Sequence, residues 1–231
     1  MNDEWSLLEL FRLGGVFMWP LLAFSVATIA LAIERTAYLL YHNMNVSTMK
    51  KEVLSRISAG DREGAADWLR AQPRRNTAAT IFLAILANAR HGENRMEKAA
   101  EAEAQERIRR CENGFNYLTA LASLSPLTGF LGTVSGMIGA FKSIASATEV
   151  NAQLVAGGIY EALITTVFGL CIAIVALVAY NILVQRVDRF AGDIVQASSE
   201  IIPALLDAEQ IGEATEDESA ARFAEAAGAA D

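Results

Sequence analysis

Glu161 is the one acid in the apolar run LVAGGIYEALITTVFGLCIAIVALVAYNILV, which extends from Leu154 to Val184. It stands seven positions inside the run, which on a helix is about 10 Å below its start. Placing a carboxylate at that depth is costly, and in membranes such groups mark ion or proton paths. The competing reading is a buried acid that hydrogen-bonds a neighbour for structure alone; the two differ in whether water or a partner reaches it. Thr165, one turn further along, shares a face with Glu161 and is a candidate partner for its carboxyl. Thr133 and Thr166 are candidate pore-lining groups, because their hydroxyls can meet water or a passing proton while satisfying their own backbone. Helix packing alone would also account for them. No other acid or base falls inside an apolar run, so a proton path needs a second titratable group from another chain or from water.

Three elements must position these residues. Leu13 to Ile33 carries no charge and is long enough to span a hydrocarbon core of roughly 30 Å. A signal peptide would need a basic leader, whereas this one holds Asp3, Glu4 and Glu9 against Arg12, so a retained span is expected. A second charge-free run goes from Asn113 to Phe141, and the third is the one that holds Glu161. The run Asn76 to Ala89 is too short to span and is bracketed by Arg74, Arg75 and Arg90, which predicts a buried helix of a water-exposed lobe. Ser125, Gly129, Thr133, Gly136 and Ala140 form a small-residue stripe in the second span. Ala162, Thr166, Gly169, Ala173 and Ala176 form another in the third. Such stripes let helix backbones approach closely; Pro126, Gly129, Gly132, Gly136 and Gly169 are assigned to that packing.

The bulk numbers agree. Hydrophobic residues make up 53% of 231 and mean hydropathy is +0.27, too apolar for an ordinary soluble domain. A formal charge of −8 argues against nucleic acid as a partner. Cys111 and Cys171 stand in unlike surroundings and are not expected to pair, while His42 and His91 lack neighbours at metal-ligand spacing. The sequence implies no metal, no cofactor and no enzymatic nucleophile–base set; the glycines of GFLGTVSG lie inside an apolar run and read as packing, not as a phosphate cradle.

Thirteen of nineteen Lys and Arg lie between His42 and Glu112, which puts the middle lobe and the C-terminus in the cytoplasm and the N-terminus outside. The expected layout is a periplasmic arm 1–12, a first transmembrane helix 13–41, a cytoplasmic helical lobe 42–112 and a second transmembrane helix 113–144. A periplasmic loop 145–153 and a third transmembrane helix 154–185 follow, then a cytoplasmic helix 186–207 and an acidic disordered tail 208–231. In the lobe, Asp61 is a candidate cap, and Glu103–Arg107 and Glu106–Arg110 are i,i+4 pairs on a helix running straight into the second span. Pro203 is expected to perturb or end the last helix. The fold class is an all-α membrane protein, three transmembrane helices with long helical cytoplasmic extensions.

SPLTGFLGTVSGMIGAF, from Ser125 to Phe141, followed by GGIYEALITTVFGLCIAIVALVAYN, from Gly157 to Asn181, resembles the ExbB/TolQ/MotA proton-channel family, with the match nearest ExbB and TolQ. The three-span layout fits; MotA-type members have a fourth span. The resemblance implies a homo-oligomeric, pentameric channel of the bacterial inner membrane, its second and third spans lining a central pore. That pore would hold the single span of an ExbD- or TolR-like partner, which brings the missing aspartate. Proton flow would then drive a TonB-like or TolA-like protein. Glu161 matches the family's pore glutamate, Thr133 the threonine of its GTV motif, Thr166 the threonine one turn past the glutamate, and Pro126 the proline opening the second-span motif. The short N-terminal arm leaves the choice between ExbB and TolQ open. A scaffold that packs a partner helix without a proton path stands as the alternative; a secondary transporter would call for an internal repeat that the sequence lacks.

Overall fold

A computed structural model of the chain describes residues 11–42, 44–73, 75–146 and 152–228. The regular elements among them are helices: α1 (Met18–Tyr41), α2 (Val46–Ser58), α3 (Arg62–Arg70), α4 (Thr77–Ala87), a 3-10 turn (Ala89–His91), α5 (Glu93–Glu112), α6 (Phe115–Ser146) and α7 (Ala152–Gly228). They divide into two compact units, Met1–Ala37 with Asn113–Gln185 and Tyr38–Glu112 with Arg186–Asp231. Most of the arm 1–12 and the centre of the loop 145–153 lie outside the described residues.

The first unit is built from α1, α6 and the first part of α7, and these supply the three stretches long and apolar enough to cross a bilayer. The first apolar run starts at Leu13 but its helix starts at Met18, because Gly15 takes a left-handed φ of 66° that breaks the helical path. Pro20 falls in the first turn of α1, where its missing N–H leaves no carbonyl unpaired: the Val16 carbonyl accepts from the Trp19 N–H at 3.3 Å. Pro126 sits inside α6, and the helix continues through it. Ser125 beside it is buried, and its hydroxyl donates to the Leu121 carbonyl at 2.6 Å. On α6, Leu127, Phe130, Leu131, Val134, Ile138 and Phe141 are all exposed, as are Leu163, Val167, Leu170 and Ile174 on α7. A water-soluble monomer rarely shows apolar faces so extended; hydrocarbon or another chain is their natural surrounding.

The second unit packs α2 to α5 around a core that includes Val53, Ile57, Leu69, Ile81, Phe82 and Met96. The distal part of α7 completes that core with Phe190, Ile194, Ala197 and Ile201, spaced along one helix face. The short apolar run is α4, with Ile81, Phe82 and Ile85 fully buried. Asn45 caps α2, and Asp61 caps α3 by accepting from the Gly64 N–H at 2.9 Å. The Glu103–Arg107 and Glu106–Arg110 pairs form at 2.7 and 2.8 Å.

Three expectations about helix ends are corrected. The helix before the second span does not run straight into it: Asn113 and Gly114 break it, and Gly114 has φ 93°. A left-handed glycine directly after a helix ends it, and a Cβ on Gly114 would come within 3.0 Å of Arg35 Nε. Pro203 does not end α7: it is exposed between Ile202 and Leu205, whose burial holds the helix on course. The backbone of α7 continues as helix to Gly228, through most of the segment expected to be disordered. Alanine and glutamate, frequent there, add little cost per residue once a helix is nucleated.

Candidate functional site

Glu161 is half-buried, nine residues past the start of α7 at Ala152. Its carboxylate lies against the backbone of Gly15: a Cβ built on that glycine would fall 1.8 Å from Glu161 Oε1. The left-handed turn before α1 therefore needs glycine twice, once for its φ and once to leave room for the acid. The carboxylate also borders a cavity of about 330 Å³, lined by Gly14, Val16 and Phe17 from the entry to α1, by Ser135, Ser143 and glycines of α6, and by Gly158. No hydrogen bond or ion pair reaches Glu161 among the described residues. An acid facing a cavity of that size has space beside it for several waters.

The threonines gather one to two turns deeper, where α6 and α7 touch. Thr133 and Thr166 hydrogen-bond each other, and either can donate. Thr133 Oγ1 also lies 3.1 Å from the Ala162 carbonyl, and Thr166 Oγ1 lies 3.3 Å from that of Gly129. Each hydroxyl has one proton and two lone pairs, so the pair is complete in both directions. If Thr166 donates to Thr133, Thr133 donates to the Ala162 carbonyl at 3.1 Å or to that of Gly129 at 3.3 Å; if Thr133 donates to Thr166, Thr166 donates to Gly129. Such a pair reverses its polarity without breaking the helix contact.

Thr165 stands elsewhere. It is 1% exposed, and its hydroxyl donates to the Ala162 carbonyl at 2.8 Å rather than to Glu161. A threonine in a helix readily bonds back to the preceding turn, which removes it from the reach of the acid. Its side chain packs on Gly132, where a Cβ would fall 2.5 Å from Thr165 Oγ1. The remaining glycines do what small residues allow. A Cβ on Gly169 would meet the Ser125 carbonyl at 2.5 Å, one on Gly129 the Thr165 carbonyl at 2.8 Å, and one on Gly136 the Gly158 carbonyl at 3.0 Å. Pro126 follows Ser125 at this crossing.

The sequence therefore flagged Glu161, Thr133 and Thr166 but not the entry segment Gly14–Phe17, nor Ser135 and Ser143. The adjacent glycines at 14 and 15 were a readable signal of a turn inside an apolar run; that the turn would meet Glu161 was not, because the contact is far apart in sequence. Among the described residues no group of His, Cys, Asp or Glu could hold a metal, and Cys111 and Cys171 are not joined by a disulfide.

A family model described as the MotA/TolQ/ExbB proton channel family matches residues 72–196, more than half of the chain. Synechocystis sp. ExbB-like protein 1, named for biopolymer transport, is 33% identical over 193 residues, covering 80% of this chain and 75% of that protein. TolQ of the Tol-Pal system of Haemophilus influenzae is 44% identical over 86 residues, 37% of this chain and 38% of its own length. The biopolymer transport protein ExbB of Salmonella typhimurium is 35% identical over 89 residues, 38% of this chain and 36% of its own. The matched residues carry the threonine pair, the glycine crossing and Glu161, and on this evidence the chain belongs to the MotA/TolQ/ExbB proton channel family.

Proposed function

We propose that this chain is the proton-channel subunit of an ExbB-type motor in a bacterial inner membrane, with Glu161 as its titrating group and the Thr133–Thr166 pair lining the same path. The observation that carries the reading is the Glu161 carboxylate, without a polar protein partner among the described residues, facing a cavity inside the unit that holds the three apolar helices. A purely structural acid would be expected to spend its oxygens on neighbours. The exposed apolar faces of α6 and α7 support assembly of several copies, five by family resemblance, around a central passage. That passage would take the membrane helix of an ExbD- or TolR-like partner with its own carboxylate. The positive charge of the lobe supports a cytoplasmic lobe and C-terminus and an external N-terminus.

The load is a TonB-like protein serving outer-membrane import, or a TolA-like one serving the envelope. The longer match to an ExbB-like relative favours the first, and the denser local identity to TolQ keeps the second in play. Glu161→Gln keeps shape and removes titration. With an ExbD-like partner co-reconstituted in liposomes, this variant should abolish proton flux while assembling normally. Undiminished flux would overturn the role given to Glu161.

A further inference from the structure

A second cavity, of about 420 Å³, lies in the helical lobe unit where the end of α1 meets α7. Leu39, Leu40, Met44 and Phe190 give it apolar lining, Arg186 and Arg189 cationic lining, and His42 an imidazole ring. Asn45 and Asp193 also border it; Asn45 accepts from the Thr48 N–H, and His42 Nδ1 lies 3.0 Å from the Tyr38 carbonyl. Arg186 and Arg189 are exposed and make no ion pair among the described residues, although Asp188 and Asp193 are their near neighbours in sequence. The other arginines of this unit include several that do find carboxylates within 3 Å: Arg56, Arg62, Arg70, Arg107 and Arg110. Two guanidinium groups that make no ion pair line one concavity, with Asp193 as the carboxylate among its described lining residues, and they offer a phosphate the paired, planar hydrogen bonds guanidinium makes.

Position adds the second argument. Arg186 is the first charged residue after an uncharged stretch that begins at Ala162, and no charge separates Arg35 from the cavity residues Leu39 and Leu40. Apolar and cationic residues around one cavity, directly after the ends of two apolar runs in sequence, match the boundary between acyl chain and headgroup. We infer that this cavity binds a phosphate group, with an anionic phospholipid headgroup or a free phosphate ester as its source. The lipid source rests on α1 and α7 crossing the bilayer, and does not depend on proton conduction.

The full chain, inserted into nanodiscs of mixed phosphatidylglycerol and phosphatidylcholine, would be released and weighed by native mass spectrometry to count retained lipids. Insertion itself checks the membrane reading separately. Wild type should retain phosphatidylglycerol on the order of tenfold above its share, at roughly one favourable interaction per basic side chain near an anionic surface. Arg186→Gln with Arg189→Gln should lose that enrichment, while the double lysine variant, which keeps charge, should retain part of it and serve as the folding control. In detergent without lipid, inorganic phosphate should raise the unfolding temperature of wild type above that in sulfate of equal ionic strength if the source is a free phosphate. Enrichment equal in wild type and the glutamine variant, together with no phosphate-specific stabilisation, would overturn the assignment.

Discussion

The contact of α6 with α7 can be broken by a single methyl group. In Gly169→Ala the new Cβ would lie 2.5 Å from the Ser125 carbonyl oxygen and 3.2 Å from Gly129 Cα. Both are backbone atoms, so no rotamer change relieves the clash, and ordinary contact needs the helices to part by about 1 Å at this level. The cross-helix hydrogen bonds cannot follow. Thr133 to the Ala162 carbonyl is already 3.1 Å, and Thr165 and Thr166 each lie 3.3 Å from that of Gly129; a further ångström takes all three beyond bonding range. Overpacking costs roughly 1–3 kcal/mol, and each lost interhelical bond in a bilayer about 0.6 kcal/mol. The sum is on the order of 3–5 kcal/mol, or roughly 150- to 5000-fold in the unfolding equilibrium. Steric trapping of the purified protein in micelles measures this directly. The control is Gly192→Ala, where a Cβ would meet nothing within 4 Å, so the change should be neutral or stabilising by up to about 1 kcal/mol. Equal stability of the Gly169 and Gly192 variants would refute the claim that backbone contact at Gly169 sets the helix spacing.

Other substitutions separate neighbouring roles. Thr133→Val and Thr165→Val each remove one hydroxyl at nearly constant volume; both should lose about 0.6–1.7 kcal/mol of stability by steric trapping, but only the Thr133 change should lower proton flux in liposomes. Gly15→Ala would place its Cβ 1.8 Å from Glu161 Oε1 in a backbone of φ 66°, costing about 1–2 kcal/mol in strain and displacing the carboxylate, so the rate of Glu161 labelling by a hydrophobic carbodiimide should change several-fold. In the lobe, hydrogen bonds from Arg110 and then Arg109 hold the Glu106 carboxyl below its usual range. The stabilisation this brings is complete above the ordinary glutamate range and fades as pH falls through the lowered folded-state value; Arg110→Gln should raise the Glu106 midpoint in an NMR titration.

How far the sequence reached depends on the range of the interaction involved. The three apolar runs and the buried α4 were legible because length and periodicity are local properties. Asp61 as a cap and the Glu103–Arg107 and Glu106–Arg110 pairs were legible for the same reason, three or four residues apart. The ends of α5 and α7 were not. Asn113 and Gly114 stand between a charged helix and an apolar one, and neither pattern says whether that glycine turns left-handed. Pro203 carried a local signal to stop, but the burial of Ile201, Ile202 and Leu205 in the lobe outweighed it. That burial is tertiary and invisible in the local pattern.

The site divides along the same line. Glu161, Thr133 and Thr166 stood out as candidates because an acid and hydroxyls in apolar runs are conspicuous, and their family motifs are specific. The assignment of Thr165 as a partner of Glu161 rested on helical phase alone. Phase puts two side chains on one face, yet the Thr165 hydroxyl had a nearer acceptor in its own helix, the Ala162 carbonyl at 2.8 Å. Consequently the acid is left with the turn at Gly15 and an open cavity. The first span thus meets Glu161 through a residue without a side chain, whose contribution is the room it leaves. Gly15→Ala tests that contribution apart from Glu161→Gln, since it changes the position of the acid and keeps its capacity to titrate.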